Sequence, residues 1–448
     1  MCDEQDISNF YGRAVKAGPG VIPEKCQKQP AIVRMGKRKW RCARCQSWLS
    51  EKENKLPSGE IYCSNCITLG RLTSADTLYT IPEPNHFAQP TQPVLAWTGQ
   101  LSNLQQKCSS QMLKAVQAQH DFLLWAVTGA GKTEITFASL AWAIESQWRI
   151  AFVTPRIDVC NELYPRLQQA FPTISILLQH GQAQIPYQYR QLTVCTVQQL
   201  LHFVKAFDLI IIDEVDAYPF VNNRLLHQAV RRARKATGVT CQLTATPPAK
   251  LVRAFRRDAN KELAILPLRF HQQPLPQLTI KVCSTTPAIL AGQTQRYVWW
   301  MNTIARWVQA GYPFLVFVAV VEQLEMIYRY IKHHLTTSSI RGTTVHAGDP
   351  FRVQKVAAFR NREYTFLVTT TILERGVTFS NLQVLILAAD ARHFTATTLI
   401  QIAGRVGRKS TAPTGEVLAV CQQYTWALKR ARREIAFLNR QGKNLVTK

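Results

Sequence analysis

Short apolar runs rich in branched residues recur in two parts of the chain and alternate with stretches of helical periodicity. The first part contains the runs FLLWAV, IAFVTP, LTVCTV and FDLIIIDE, and the second contains FLVFVAVV, YTFLVTTT and LQVLILAAD. Strands that are apolar throughout are buried on both faces, as in a parallel sheet covered by helices. The pattern therefore predicts an α/β protein with two parallel-sheet lobes.

Two proline-rich stretches separate these regions, because proline is poorly tolerated inside helices and central strands. One contains Pro82, Pro84, Pro90 and Pro93, and the other contains Pro267, Pro274 and Pro276. They predict an N-terminal module at 1–80, a linker at 81–94, a first lobe at 95–268, a linker at 269–277 and a second lobe at 278–448.

The chain is strongly basic: its 448 residues carry a formal net charge of +26, although only 18% of them are charged. This shortage of acids favours a polyanionic partner, either nucleic acid or an anionic membrane surface. The longest apolar run, at 314–321, is far shorter than the roughly 18 residues of a membrane span. The acidic start, MCDEQD, does not resemble a signal peptide, so we expect a cytoplasmic protein.

Four of the twelve cysteines form two CxxC pairs in the N-terminal module, at Cys42, Cys45, Cys63 and Cys66. Each pair can present two thiolates to one ion, and two pairs complete the tetrahedral set of a structural zinc site. A zinc ribbon is therefore predicted. The neighbouring stretch MGKRKWRC surrounds Trp40 with basic residues. This suits phosphate contact and base stacking, unless Trp40 packs against the ribbon.

The segment AVTGAGKT follows the apolar run FLLW and precedes a helical stretch, which is the setting of a phosphate-binding loop. Backbone N–H groups of such a loop surround phosphate oxygens, and the following helix adds partial positive charge. We expect Lys132 to reach the β- and γ-phosphates of ATP and Thr133 to hold Mg²⁺. The rest of the predicted nucleotide cradle consists of Thr128, Gly129, Ala130 and Gly131.

The segment IIIDEVD is a predicted buried strand that ends in carboxylates. At the carboxyl edge of a parallel sheet such residues face the nucleotide crevice. We expect Asp213 to bind Mg²⁺ through its water shell and Glu214 to deprotonate the attacking water. Asp216 is expected to couple this site to the next motif.

With these segments in order, about 350 residues resemble the superfamily 2 helicases and translocases, which have two tandem RecA-like lobes. LSNLQQ, with Gln105, resembles the adenine-reading glutamine motif, and TATP resembles motif III. TTTILERGVTF and QIAGRVGR resemble motifs V and VI. The resemblance implies that Arg405 and Arg408 act as arginine fingers and that Gln401 contacts the nucleotide.

The same resemblance implies a single nucleic-acid strand bound mainly through its backbone. It assigns this role to residues of motifs Ia, Ib and V, namely Thr154, Arg156, Thr196, Thr370 and Thr371. Two basic runs, RRARK at 231–235 and KRARR at 429–433, add to the predicted field around DNA.

The order of a four-cysteine ribbon, WTGQLSNLQQ, AVTGAGKTE, DEVDAYPF, TATP and QIAGRVGR resembles the ComFA family of late competence ATPases. The family implies ATP-driven movement on single-stranded DNA entering the cytosol, at the inner face of the membrane beside the uptake channel. It also implies a ComFC-type partner. Two alternatives stay open: a replication-restart or repair helicase, and a zinc-dependent nucleic-acid-binding adaptor with a switching ATPase.

Overall fold

The computed structural model describes residues 7–16, 22–90, 93–183, 186–335, 340–374 and 379–446. The chain divides into two compact units. One comprises Met1–Trp125 and Lys132–Ile265, and the other comprises Ala126–Gly131 and Leu266–Lys448. Two large parallel sheets and a four-cysteine N-terminal region are present, so the predicted fold class is confirmed.

The N-terminal part of the first unit contains two small antiparallel sheets. Their strands are β1 (Val15–Lys16), β2 (Gln27–Pro30), β3 (Ile32–Arg34), β4 (Lys39–Cys42), β5 (Trp48–Ser50) and β6 (Thr77–Thr80). The strand orders are β1-β6-β2 and β3-β4-β5. Helix α1 (Glu51–Asn54) follows β5, and a 3₁₀ helix spans Ser64–Leu69.

A seven-stranded sheet forms the centre of the first lobe. Its strands are β7 (Asp121–Ala126), β8 (Ile150–Thr154), β9 (Ile176–Gln179), β10 (Leu192–Thr196), β11 (Phe207–Asp213), β12 (Arg234–Thr244) and β13 (Lys261–Leu266). The order is β13-β7-β12-β11-β8-β10-β9, and β7 to β12 pair in parallel. Every residue of β8 and β10 is buried, as expected for strands covered on both faces.

Helices α2 (Asn103–Gln117), α3 (Lys132–Ile135), α4 (Phe137–Glu145), α5 (Ile157–Ala170), α6 (Arg224–Ala233) and α7 (Ala249–Arg257) belong to this lobe, with a 3₁₀ helix at Val197–His202. A capping box starts α2, because Ser102 and Gln105 satisfy each other's backbone N–H groups. Asn223 caps α6 in a similar way, with its side chain accepting from Leu225 and Leu226.

The second unit contains a six-stranded sheet in which the paired strands are parallel. Its strands are β14 (Leu278–Val282), β15 (Phe314–Phe317), β16 (Gly342–Val345), β17 (Phe366–Thr369), β18 (Gln383–Ile386) and β19 (Val417–Cys421), in the order β14-β19-β18-β15-β17-β16. Its helices are α8 (Thr286–Leu290), α9 (Trp300–Gln309), α10 (Gln323–His334), α11 (Arg352–Arg360), α12 (Ala396–Ala403) and α13 (Trp426–Val446), with a 3₁₀ helix at Thr371–Glu374. Trp300, Trp307 and Tyr330 fill the core on one face of this sheet.

The N-terminal module and the first lobe share one hydrophobic core. Buried module residues such as Leu49 belong to the same cluster as Leu200 and Phe203 of the lobe. The Ala14 N–H also donates to the carbonyl of His202 at 2.8 Å. Because one continuous core serves both parts, we expect the module and the lobe to stabilise each other.

The stretch that follows the module is held on the first lobe by side chains. Glu83 forms an ion pair with Arg149, and both side chains are fully buried. The Asn85 amide donates to Asp208 Oδ2 at 2.9 Å. These contacts fix residues that the prolines predicted to act as a linker. Among the described residues, no helix is both long and apolar enough to cross a membrane.

Candidate ATP and zinc sites

The predicted phosphate loop connects β7 to the start of α3. Gly129 and Gly131 have φ values of +77° and +72°, a backbone conformation that favours glycine. Lys132 begins the helix, so its N–H and those before it lie where a phosphate is bound in such loops. Thr128 is buried, and its hydroxyl makes no hydrogen bond with any described residue. The loop therefore has the backbone and a spare polar group to receive a nucleotide.

The carboxylates of the DEVD segment lie at the carboxyl end of β11, as predicted for a parallel sheet. Burial raises the pKa of Asp213 to about 6, an effect that the nearby Lys132 ammonium opposes and Glu214 reinforces. The Glu214 N–H donates to Asp213 Oδ1 at 2.9 Å, and Glu214 has a φ of +56°. A partly buried carboxylate near Lys132 suits Mg²⁺, because the cation supplies the positive charge that stabilises the ionised carboxylate.

Asp216 connects this strand to the segment after β12. Its two oxygens accept hydrogen bonds from the hydroxyls of Thr244 and Thr246 at 2.6 and 2.5 Å. All three residues are buried. The structure thus contains the contact expected between the DEVD segment and the TATP segment. These two hydrogen bonds couple the positions of the two segments.

Gln105, the predicted adenine reader, is buried at the start of α2. Its side-chain oxygen accepts the N–H of Ser102 at 2.8 Å. The same group therefore closes the helix N-terminus, a role that the glutamine motif alone does not indicate. Its adenine contact stays a prediction.

The predicted arginine fingers follow α12 in the second unit. Arg405 is buried, and its Nε and Nη2 donate to the Glu374 carbonyl at 2.8 and 2.7 Å. Arg408 is half-buried and lies beside the phosphate loop, where its Cγ is 3.7 Å from the position of a Cβ built on Gly129. Gln401 is buried within α12. Of the two arginines, Arg408 lies beside the loop, whereas Arg405 holds the segment after β17.

Arg269 is a further residue of this site that sequence reasoning missed. Its guanidinium is buried and donates to the carbonyls of Gly404 and Gly407, the former at 3.4 Å. Burial, reinforced by Arg408, lowers the pKa of Arg269 to about 9. It lies in PLRFHQ, a stretch predicted as a linker, and no motif marks it. Only the fold shows that it organises the motif VI turn.

The residues predicted to contact nucleic acid differ in accessibility. Thr154 and Thr196 are buried at the ends of β8 and β10. Arg156 is partly exposed and lies 3.5 Å from Asp158. Thr370 and Thr371 are half-buried after β17. Residues 375–378 of the predicted motif V lie outside the described residues.

The four predicted zinc ligands converge in the N-terminal module. Their sulfur atoms all lie within 4.8 Å of one another, with 3.4 Å between Cys45 and Cys63 and 3.8 Å between Cys42 and Cys66. Tetrahedral zinc–thiolate bonds place sulfurs roughly 3.8 Å apart, so the set fits zinc. Hydrogen bonds with Cys42 and Cys45, together with burial, raise the pKa values of Cys63 and Cys66. A bound dication would allow all four to ionise.

Basic side chains of the lobe lie close to this cluster. Burial lowers the pKa of Arg232 to about 10, while the thiol groups of Cys42, Cys45 and Cys66 oppose that decrease. Arg232 also donates to the carbonyls of Leu201 and Phe203, each at 3.0 Å. A positive charge from α6 therefore faces the predicted tetrathiolate centre across the shared core.

Family profiles match both halves of the chain. The profile described as "Type III restriction enzyme, res subunit" matches residues 98–249, and "Helicase conserved C-terminal domain" matches residues 298–410. Among solved structures, yeast Dbp5 bound to RNA and ADP BeF3 has a TM-score of 0.52 at 15% identity and covers 76% of this chain and 92% of its own. Mycobacterium smegmatis helicase Lhr bound to ssDNA and AMP-PNP has a TM-score of 0.54 at 16% identity. The match covers 77% of this chain and 50% of the Lhr chain. These define a helicase-like ATPase of superfamily 2 with two RecA-like lobes.

Two curated relatives match over nearly the whole chain. The competence protein ComFA of Streptococcus pneumoniae is 39% identical over 93% of this chain and 94% of its own length. The ComFA of Bacillus subtilis is 34% identical over 91% of this chain and 87% of its own length. The chain therefore belongs to the ComFA family of competence proteins, and the predicted family is confirmed.

Proposed function

We propose that this ATPase moves along single-stranded DNA and drives its import into the cytosol during transformation. The observation that carries the proposal is the bridge from Asp216 to Thr244 and Thr246. It links the strand end bearing Asp213 and Glu214 to a second segment of the lobe. A nucleotide-dependent shift at the carboxylates is thereby passed on, as a motor requires.

The nucleotide is Mg·ATP. Lys132 and the N–H groups of the loop bind its phosphates, Thr133 and Asp213 hold Mg²⁺, and Glu214 accepts the proton of the attacking water. Arg408, supported by Arg269, supplies positive charge to the phosphates. Zn²⁺ at the four cysteines has a structural role, because a four-thiolate set leaves no open position for substrate.

Single-stranded DNA lies along residues of motifs Ia, Ib and V. In this proposal, the side chain of Arg156 and the segment at Thr370 and Thr371 meet phosphates. The buried Thr154 and Thr196 place the backbone of their loops. The net charge of +26 favours such a polyanion without selecting a base sequence.

Two partners complete the proposal. A ComFC-type competence protein binds the ATPase, and the assembly works at the inner face of the membrane beside the DNA-uptake channel. Both partners are what the resemblance to the ComFA family implies. Co-purification of the ATPase with a ComFC-type protein from competent cells tests the first, and membrane fractionation in the presence and absence of the channel tests the second.

Two assays test the motor. One measures ATP hydrolysis with and without single-stranded DNA, and the other measures displacement of streptavidin from a biotinylated strand. We expect DNA to stimulate hydrolysis and ATP to drive displacement. Stimulation without displacement would instead support the adaptor with a switching ATPase. Efficient separation of forked duplexes would support the replication-restart or repair helicase.

A further inference from the structure

The sheet formed by β3, β4 and β5 presents one row of side chains on a single face. Arg41 in the central strand is paired with Val33 on one side and Trp48 on the other. The neighbouring row runs through Trp40 to the buried Leu49, and Trp40 packs against the shared core. Because alternate residues project to opposite faces, Val33, Arg41 and Trp48 share the outer face. We call these three residues the Trp48 face.

Two of these three side chains are apolar and exposed. Trp48 is 62% exposed and Val33 is 39% exposed. The Arg41 guanidinium lies 5.5 Å from the centre of the Trp48 ring. An indole beside a guanidinium is a surface on which a nucleobase stacks favourably.

The sequence segment that forms this sheet is strongly basic. The segment 31–50 contains six basic residues and no acidic residue. Three of them, Lys37, Arg38 and Lys39, are exposed at the turn between β3 and β4. Arg34 stabilises that turn by donating to the carbonyls of Gly36 and Lys37 at 3.2 and 3.1 Å. Phosphates next to a stacked base would therefore meet a preformed cluster of cations.

We propose that the Trp48 face is a binding site for single-stranded DNA, in which one base stacks on Trp48 and Arg41 and adjacent phosphates bind the turn at 37–39. The site rests on the proposed DNA-motor function and extends it. The sequence suggested Trp40 as the residue on which a base stacks, but the Trp40 ring packs against the core. In this proposal the base stacks on Trp48 instead, a residue that belongs to no recognised motif.

The test compares Trp48→Ala and Trp48→Tyr with the wild type in the full-length protein. Binding is measured by fluorescence anisotropy with labelled oligothymidylate and with an abasic strand of the same length. Loss of the indole should weaken oligothymidylate binding about tenfold and leave abasic binding unchanged, because only bases stack. Tyrosine should restore most of the affinity. Zinc content and thermal melting report whether each variant is folded.

Ile67 provides the matched control, because it is an exposed apolar residue of the same module outside this sheet. Ile67→Ala should bind both strands like the wild type. If the wild type binds no single-stranded DNA, the motor function itself fails. If the wild type binds but Trp48→Ala binds equally well, the Trp48 face is overturned. If Trp48→Ala weakens binding to oligothymidylate and to the abasic strand equally, base stacking at this face is also overturned.

Discussion

Asp213 and Glu214 are adjacent in sequence but differ in what their surroundings allow. Asp213 is partly buried, and its desolvation raises its pKa, whereas Glu214 has a left-handed backbone that turns the chain at the strand end. A strained non-glycine backbone at a carboxylate pair is common where a side chain must be aimed at a substrate. We therefore assign metal binding and proton transfer to different residues.

Glu214→Gln should separate nucleotide binding from turnover. The amide has nearly the same shape but cannot accept a proton, so kcat should fall roughly 10²- to 10⁴-fold. ATP affinity, measured by equilibrium binding of a fluorescent analogue, should change little. The exposed Glu145, at the end of α4, offers a control, and Glu145→Gln should hydrolyse ATP like the wild type. Rapid DNA-stimulated turnover by Glu214→Gln would remove Glu214 from the mechanism.

Asp213 also predicts a pH-dependent stability of the nucleotide-free protein. Its pKa is about 6 in the fold against an ordinary value of 3.8, so the native state holds the proton more tightly than the unfolded state. This contribution to stability is present at low pH and is lost as pH rises through about 6. Asp213→Asn keeps the neutral form at every pH.

Asp213→Asn should therefore raise the melting temperature of the nucleotide-free protein by roughly 2–4 °C above pH 7 and much less near pH 4. Melting curves across this pH range, without Mg²⁺, check the trend. A difference that is constant with pH would show that Asp213 is already ionised throughout. The variant should also lose Mg²⁺-dependent hydrolysis.

At the level of elements, the end of α12 approaches the phosphate loop closely within the second unit. A Cβ built on Gly404 would lie 1.9 Å from the Thr128 hydroxyl oxygen. Gly404→Ala must therefore displace the loop residue, and we expect at least a tenfold loss of ATP affinity or turnover. Gly181→Ala is the control, because nothing lies within 4 Å of its Cβ position. Wild-type kinetics in Gly404→Ala would contradict this packing.

Because the module and the first lobe share one core, loss of zinc should destabilise the whole first lobe. Cys63→Ala should lose the metal and lower the melting temperature of the lobe, because Leu49 and Phe203 belong to one cluster. Limited proteolysis should then cut within both the module and the lobe. Cys26→Ala removes a buried cysteine of the module outside the cluster and should retain zinc. Cleavage confined to the module would show that it folds independently.

The sequence predicted the central elements but not their surroundings. The runs FLLWAV, IAFVTP and FDLIIIDE became β7, β8 and β11, because strands buried on both faces leave a continuous apolar signal. Edge strands such as β14 have no such signal. The role of Arg269 and the exposure of Trp48 depend on contacts between distant parts of the chain, and local pattern does not encode these.

At the level of the whole molecule, the basic residues fall into two groups, those in internal contacts and those exposed to solvent. Many arginines are committed to carbonyls or carboxylates inside the units, as Arg149, Arg269 and Arg405 are. Others form exposed helical faces, including one on α7 and one on α13. Only the exposed cations can release counterions from DNA, so the salt dependence of binding should report them rather than the total charge.

The face on α13 carries Lys429, Arg430, Arg432 and Arg433, all exposed, close to the exposed Trp426. Arg430 lies 3.8 Å from Glu434, within ion-pair distance. Neutralising the four residues should lower affinity for single-stranded DNA. It should also flatten the salt slope by roughly 0.7 for each phosphate that the variant no longer neutralises.

The matched control removes the same charge from α7, where Lys250, Arg253, Arg256 and Arg257 are also exposed. If DNA follows α13, only the α13 variant changes the slope of log affinity against log salt, although both variants have the same net charge. Equal changes in the two variants would mean that binding responds to total charge alone. An unchanged slope in the α13 variant would make that face a solvated one and confine the DNA path to motifs Ia and V and the Trp48 face.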